Sequence, residues 1–469
     1  MEENENMDKS SSGKKQSAPE DIKYHLPDEQ IREIVDAARS QDSDTVHAVL
    51  DELSIADSAE LLSKIKEEDR LELLSMYSDT LDPAIFAEMD PELSRIYLSS
   101  MPASRIAQMI SELESDDALL LIENLDPDFQ QKIIKKLSAK TRIALEEGLN
   151  FPEDSAGRLM QRELVSIPDF WTVGKTVDYL RTASETLPED FFDIFIIDPS
   201  HHLTGEIPLS RLVRAKRSEK IKNLSLDEIH PVSAETDQEE VAHMFRRENI
   251  ISAPVVDDSE RLIGVITIDD VVDVIDQEAQ EDILRLAGVD SGDLYKAVMS
   301  TTSTRFRWLF INLLTAILAS IVISFFDATI EQVVALAILM PIVASMGGNA
   351  GTQALTVAVR AIATHELTGA NTWQVIWKET LVGAVNGFLF AVIIGILSAL
   401  WFQTPVLGIV IALAMFINMI VAGLFGAGIP LILYRLGSDP AVSSTVLLTT
   451  ITDVIGFLSF LGLATLLMV

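Results

Sequence analysis

The chain has 469 residues and no cysteine, and its 36 basic against 71 acidic residues give a formal net charge of -35. Disulfides, thiolate metal sites and a cysteine nucleophile are excluded, and a surface this acidic repels nucleic acid and anionic headgroups while concentrating cations. From Arg305 onward the sequence holds only five basic and six acidic residues, so nearly all the charge lies on residues 1–304 and the last third is apolar.

Residues 1–22 are rich in Ser, Lys and Glu and too poor in apolar side chains to order themselves, which predicts a disordered tail. They contain no apolar core of signal-peptide length. Residues 23–150 repeat one kind of phrase, seen in Asp-Pro-Glu-Leu-Ser-Arg-Ile (90–96), Pro-Ala-Ser-Arg-Ile-Ala-Gln-Met-Ile (102–110) and Asp-Pro-Asp-Phe-Gln-Gln-Lys-Ile-Ile (126–134). Each opens on a residue suited to a helix cap or first turn and continues with apolar residues at three and four spacing. The prediction is an α-helical N-terminal domain of stacked short helices, a small superhelix.

From Phe151 the texture becomes α/β. Phe192–Asp198 and Ala253–Asp257 read as strands, each followed by a polar turn and a second strand containing a glycine, Leu203–Leu209 and Leu262–Asp270. Two copies about 60 residues apart indicate an internal duplication. Residues 151–222 and 223–277 thus resemble the paired modules of a tandem CBS pair, a sensor unit, the second copy more closely than the first. Residues 278–304 are expected to form a connecting helix.

Residues 305–469 hold uncharged runs at 308–326, 332–359, 380–434, 440–452 and 454–469. The 380–434 run is long enough for two spans with a break near Phe402-Gln403-Thr404-Pro405, which makes five membrane helices. Arg305 and Arg307, Arg360 and Lys378, and Arg435 fall on alternate connections. Positive-inside placement puts the N-terminus and the acidic region in the cytoplasm and the C-terminus outside.

Within the last span stands Asp453, the only acid of that stretch. A carboxylate at membrane depth costs about 2.5–3.5 kcal/mol on insertion scales and marks either an ion pathway or a structural pair near a helix end. A second constellation is the acidic run Asp269, Asp270, Asp273, Asp276, Glu278, Glu281 and Asp282. It reads either as a solvated face or as a set of like charges that a shared divalent cation would relieve. A third is Met346-Gly347-Gly348-Asn349-Ala350-Gly351-Thr352-Gln353 in the second span, which serves close helix packing or lines a cavity. Thr267 and Asp270 match the hydroxyl and acid with which CBS modules can hold a nucleotide ribose, whereas the first copy has Pro208 and Arg211 there. No P-loop, dinucleotide glycine pattern or nucleophile-and-base spacing supports an enzyme. His201 and His202 follow a strand in a turn and are expected to be solvated.

Taken together, the helical repeats, the CBS-like pair, the acidic connection, Met346–Gln353 and Thr449-Thr450-Ile451-Thr452-Asp453-Val454-Ile455-Gly456 resemble the MgtE family of magnesium channels from residue 23 to the end. The resemblance implies a multi-domain chain in which a cytosolic α-helical superhelix and a tandem CBS pair precede a five-helix transmembrane pore domain. It implies a homodimer in the cytoplasmic (inner) membrane whose pore lies between subunits. Asp453 of each chain would meet hydrated Mg²⁺, with Gly347, Gly348, Asn349, Gln353 and Thr449 lining the pore. Regulatory Mg²⁺ would bind Asp116, Asp237, Glu239, Asp270, Asp273, Glu278, Glu281 and Asp282 and close the pore. ATP or another adenine nucleotide is a further ligand that Thr267 and Asp270 would admit. Leu120 and Asn249 stand where acids would suit a cation site, and Thr445 stands where the family pattern suggests an amide. Two rivals remain open on the residues alone: a secondary transporter using Asp453 as a proton or Na⁺ site, and a membrane-anchored nucleotide receptor.

Overall fold

Capping chemistry builds the first hundred or so described residues of the chain. A computed structural model describes residues 26–468 apart from 78–80, 185, 189, 290–294, 297, 365, 368 and 369, so the tail expected at 1–22 lies outside the described residues. The chain divides into two units, residues 1–272 and 273–469.

The first unit opens with ten short helices: α1 (Asp28–Arg39), α2 (Ser43–Leu50), α3 (Ile55–Lys64), α4 (Glu67–Tyr77), α5 (Ala84–Glu88), α6 (Pro91–Ser100), α7 (Ala103–Ile110), α8 (Ser115–Glu123), α9 (Pro127–Ile134) and α10 (Ala139–Asn150). The Asp-Pro phrases act as read from the sequence. The Asp90 carboxylate accepts the N–H groups of Glu92 and Leu93 at 2.9 and 3.3 Å, and Asp126 accepts that of Asp128 at 3.0 Å. Each such cap satisfies donors the helix start leaves orphaned, and the proline after it lacks the donor that would otherwise be wasted. Leu61, Leu62, Phe86, Tyr97, Ile106 and Ile110 are fully buried between the helices, each side chain contributing about 1.5–3 kcal/mol. Arg70 is buried with them and donates to Tyr97 Oη at 2.8 Å and to Ile65 O at 2.6 Å.

After the short α11 (Ala156–Leu159), two modules repeat one topology. The first holds β1 (Ser166–Pro168), α12 (Val173–Thr182), β2 (Asp193–Ile197), β3 (Leu203–Pro208) and α13 (Leu209–Arg214). The second holds β4 (Val232–Ser233), α14 (Gln238–Glu248), β5 (Ser252–Val256), β6 (Leu262–Thr267) and α15 (Ile268–Leu286). In both, the first strand runs parallel to the second and the second antiparallel to the third, with a register shift at Ile196/Ile197 and again at Val255/Val256. The hairpin turns match in detail. Asp198 accepts the N–H groups of Ser200 and His202, and Asp257 those of Ser259 and Arg261, all at 2.8–2.9 Å. The two turns also bond each other, Leu203 N to Glu260 O at 3.3 Å and Leu262 N to His201 O at 3.0 Å. The duplication expected from sequence is therefore a pseudo-symmetric CBS pair. His202 is held by Asp198 at 2.9 Å in the turn.

The segment 278–304, expected as one connecting helix, is divided. α15 already begins inside the second module and ends at Leu286, Gly288 follows with φ +69°, and α16 starts only at Val298. A positive φ at glycine costs little and terminates a helix cleanly.

The second unit contains α16 (Val298–Ser324), a short α17 (Asp327–Gln332), α18 (Ala335–Ala363), α19 (Thr372–Phe402), α20 (Pro405–Arg435) and α21 (Pro440–Met468). All but α17 are long and apolar enough to cross a membrane, needing about 20 residues each. The break between α19 and α20 lies where expected, with Gln403 left-handed at φ +51° and Pro405 restarting the chain. α20 packs against α18, α19 and α21. Small residues permit that: a Cβ at Gly383 would lie 2.5 Å from Met419 O, and one at Gly426 would lie 2.6 Å from Gly351 O. α16 buries only Ala319 among the described residues.

Candidate ion path and acidic sites

One face of α18 is polar. Gly347, Gly351, Ala354, Leu355 and Ala358 are buried, while Ser345, Asn349, Thr352, Gln353 and Thr356 recur at three and four spacing on an exposed face. Gly348 opens onto it, with nothing within 4 Å of where a Cβ would stand. Asn349 Nδ2 donates to Ser345 Oγ at 3.5 Å, and the Thr352 and Thr356 hydroxyls donate to the carbonyls of Gly348 and Thr352. A face carrying two carboxamides at membrane depth requires water or protein rather than lipid against it.

α21 supplies the acid. Asp453 is half-buried and lies in line with Thr449 and Thr445, four and eight residues earlier. Thr449 Oγ1 donates to Thr445 O at 3.0 Å, so its own lone pairs stay available. α18 and α21 pack against each other, and a Cβ at Gly351 would stand 2.9 Å from Leu448 Cδ1. Gly347, expected among the pore-lining residues, is turned instead into the contact with α20, where the Asn418 side chain fills the space a Cβ would need. Helix rotation of about 100° per residue separates it from its neighbour Gly348.

In the first unit, Asp116 in the first turn of α8 and Asp270 in the first turn of α15 are brought together. The Asp116 carboxyl is held well above the usual carboxylate range by burial, then by the charges of Asp270 and Asp117. Asp116 Oδ1 accepts the Asp117 N–H at 2.9 Å, and Asp270 Oδ2 accepts the Thr267 hydroxyl at 3.0 Å. Glu114 is raised by burial and then by Glu163, Asp117, Asp269 and Asp190. Glu163 itself accepts the Ser115 hydroxyl at 2.7 Å. Among the described residues no three His, Asp or Glu side chains converge closely enough to hold a metal ion alone. Asp237 caps α14 by accepting the Glu239 N–H at 2.8 Å, and both are exposed. Asp273 is exposed farther along α15.

At the end of α15 the acids meet the second unit's own loop. Asp282 is raised by burial and by Asp439 and Glu278, against the lowering effect of Arg285. Arg285 pairs with Glu281 and, at 2.5 Å, with Asp439 just before α21. The Thr445 hydroxyl donates to Leu286 O at 3.2 Å. Arg211, at the position matching Asp270 in the first module, donates to Ser225 O at 3.4 Å.

Three family descriptions match this order of parts: "Divalent cation transporter" (MgtE) over residues 340–463, "MgtE intracellular N domain" over 53–154, and the CBS domain over 221–277, the second module. The chain is 31% identical over 440 residues to the magnesium transporter MgtE of Bacillus subtilis, covering 93% of this chain and 97% of that one. The MgtE family includes this chain. It is also 32% identical over 439 residues to the Thermus thermophilus magnesium transporter MgtE, covering 92% and 97%. A solved structure described as the cytosolic domain of the Mg²⁺ channel MgtE in complex with ATP aligns with 52% of this chain and 99% of that chain, at 28% identity and a TM-score of 0.48. Family membership and five apolar helices make this a multi-pass membrane protein.

Where the chain departs from the expected MgtE pattern, the structure supplies local reasons. Asn249 ends α14 in the left-handed region at φ +54°, a conformation asparagine tolerates better than most residues. Thr445 bonds α15, and Leu120 is an exposed residue of α8. Sequence reasoning missed Glu114, Glu163, Asp439 and Asn418. Asp439 carried a signal, an acid before a span, whereas the others took their roles only from packing.

Proposed function

We propose that the protein admits Mg²⁺ through the cytoplasmic membrane as a homodimeric channel or transporter, and that cytosolic Mg²⁺ closes it. The observation that carries this reading is Asp453 in line with Thr449 and Thr445 on α21, a helix that packs against α18, whose exposed face is polar. Mg²⁺ gives up water reluctantly, so carboxylate and carbonyl oxygens would hold it through its hydration shell, with Asp453 of each subunit balancing its charge. The basic residues Arg305, Arg307, Arg360, Lys378 and Arg435 favour a cytoplasmic N-terminus and an outer C-terminus. For closure, a divalent ion between Asp116 and Asp270 would relieve the repulsion that raises Asp116. Because among the described residues no third carboxylate converges there closely enough to complete a metal site, it would keep several waters. Ligands shift such equilibria only by their differential affinity for the two states. The remaining acids, Asp237, Glu239, Asp273, Glu278, Glu281 and Asp282, extend the sensor. An adenine nucleotide held by Thr267 and Asp270 would act on the same module.

The test is Mg²⁺ flux in proteoliposomes with and without Mg²⁺ on the cytosolic side. Flux should follow the Mg²⁺ gradient and voltage, fall with cytosolic Mg²⁺, and vanish in Asp453→Ala. Near-normal flux in that variant would sink the path assignment, and flux that tracked a proton or Na⁺ gradient would replace a channel with a secondary transporter.

A further inference from the structure

We infer that Asn418 is a positioning residue that sets the separation of α18 and α21 along the ion path, an inference that rests on the path proposed above. Asn418 is the only carboxamide of α20 and is 0% exposed. Its Nδ2 donates to Val343 O of α18 at 2.9 Å. The acceptor is a carbonyl, so this end of the amide must be the donor. Oδ1 is equally buried, and among the described residues no donor reaches it.

The amide is seated between two glycines on different helices. At Gly456 of α21 a Cβ would stand 2.8 Å from Asn418 Nδ2 and 3.2 Å from its Cγ, and at Gly347 of α18 the nearest atom is again Nδ2. Both glycines are close in sequence to residues proposed to line the path. Gly347 directly precedes Gly348 and Asn349, and Gly456 lies one turn beyond Asp453. Leucine would fill this space without burying an acceptor that lacks a donor, so stability alone does not account for the amide. What the amide adds is direction: one hydrogen bond at a fixed height on α18, and a contact with α21 so close that a Cβ at Gly456 would push the amide aside. Asp453 and the Gly348–Asn349 face are thereby held at a defined spacing, and ion discrimination depends on such spacing.

The experiment uses the full-length protein in proteoliposomes, comparing uptake of Mg²⁺, Co²⁺ and Ca²⁺ for the wild type, Asn418→Leu, Asn418→Ala, Gly347→Ala and the Gly347→Ala/Asn418→Ala pair. Asn418→Leu should keep flux but lose discrimination between Mg²⁺ and Ca²⁺ by about tenfold, the scale expected when binding groups shift by a fraction of an ångström. Gly347→Ala alone should block flux, and adding Asn418→Ala should restore it, because the new methyl occupies the space the amide leaves. Should Asn418→Leu fail to fold, the rescue still decides the matter. Wild-type selectivity in Asn418→Leu, or a Gly347→Ala defect equal in both backgrounds, overturns the inference. Asp453→Ala separates the two claims: if it is dead while Asn418 variants are unchanged, the path stands and the positioning role falls. If it conducts, the path itself falls.

Discussion

Raising the pH should loosen the first α/β module through Glu206. β2 and β3 pair Phe195 with Glu206. Alternation places Ile194, Ile196 and Ile207 in the module's own core and turns Asp193, Phe195 and Glu206 to the other face. Asp193 on that face accepts the hydroxyl of Ser252 from β5 at 2.7 Å, so the face looks onto the second module. Glu206 is 6% exposed, and its pseudo-symmetric counterpart, opposite Pro254, is Val265. Burial, and then the charge of Asp193, push the Glu206 carboxyl up to about 8 from 4.5. At about 1.4 kcal/mol per pH unit, the ionised carboxylate costs the module on the order of 5 kcal/mol. The sign follows from linkage: a raised acid leaves stability intact below the unfolded value of 4.5. Stability then declines as the unfolded chain ionises, and the loss is complete once the pH passes the folded value near 8. Glu206→Gln should match the wild type at acid pH and exceed it at alkaline pH by several kcal/mol, read as opening free energy from hydrogen exchange of peptides spanning 193–208 in the full-length protein. A difference under about 1 kcal/mol between the two pH values would mean that Glu206 is already solvated and ionised.

Two further outcomes follow from the same reasoning. Asp270→Asn removes the charge that raises Asp116 most, so the Mg²⁺-free protein should melt higher while the stabilisation gained from added Mg²⁺ shrinks, both measured in one thermal titration. Arg70→Met strands the Ile65 carbonyl and Tyr97 hydroxyl that Arg70 now satisfies. It should cost about 2–4 kcal/mol of N-terminal stability in urea unfolding, with Tyr97→Phe costing less.

How far the sequence could be read depended on the range of the forces involved. Helix caps at Asp90 and Asp126, apolar periodicity, the lengths of the five spans and the stop at Gln403 all act within a few residues, so they were legible in one dimension. The paired hairpin turns around Asp198 and Asp257 were legible for the same reason, and Asp453 stood out because a lone carboxylate in an apolar run is costly wherever it points. Tertiary structure decided the rest. β1 and β4 are three and two residues long and exist only through pairing with β2 and β5. The bond from Arg285 to Asp439 joins residues 154 apart in sequence, and the proximity of Asp116 to Asp270 depends on the packing of α8 beside the second module. Gly347 and Gly348 are identical and adjacent, yet one is packed under Asn418 and the other opens onto the polar face, because the neighbour that distinguishes them comes from α20. Residue order fixes what each side chain can do, whereas burial, and with it the effective strength of every charge and amide, is set only when distant helices close around it.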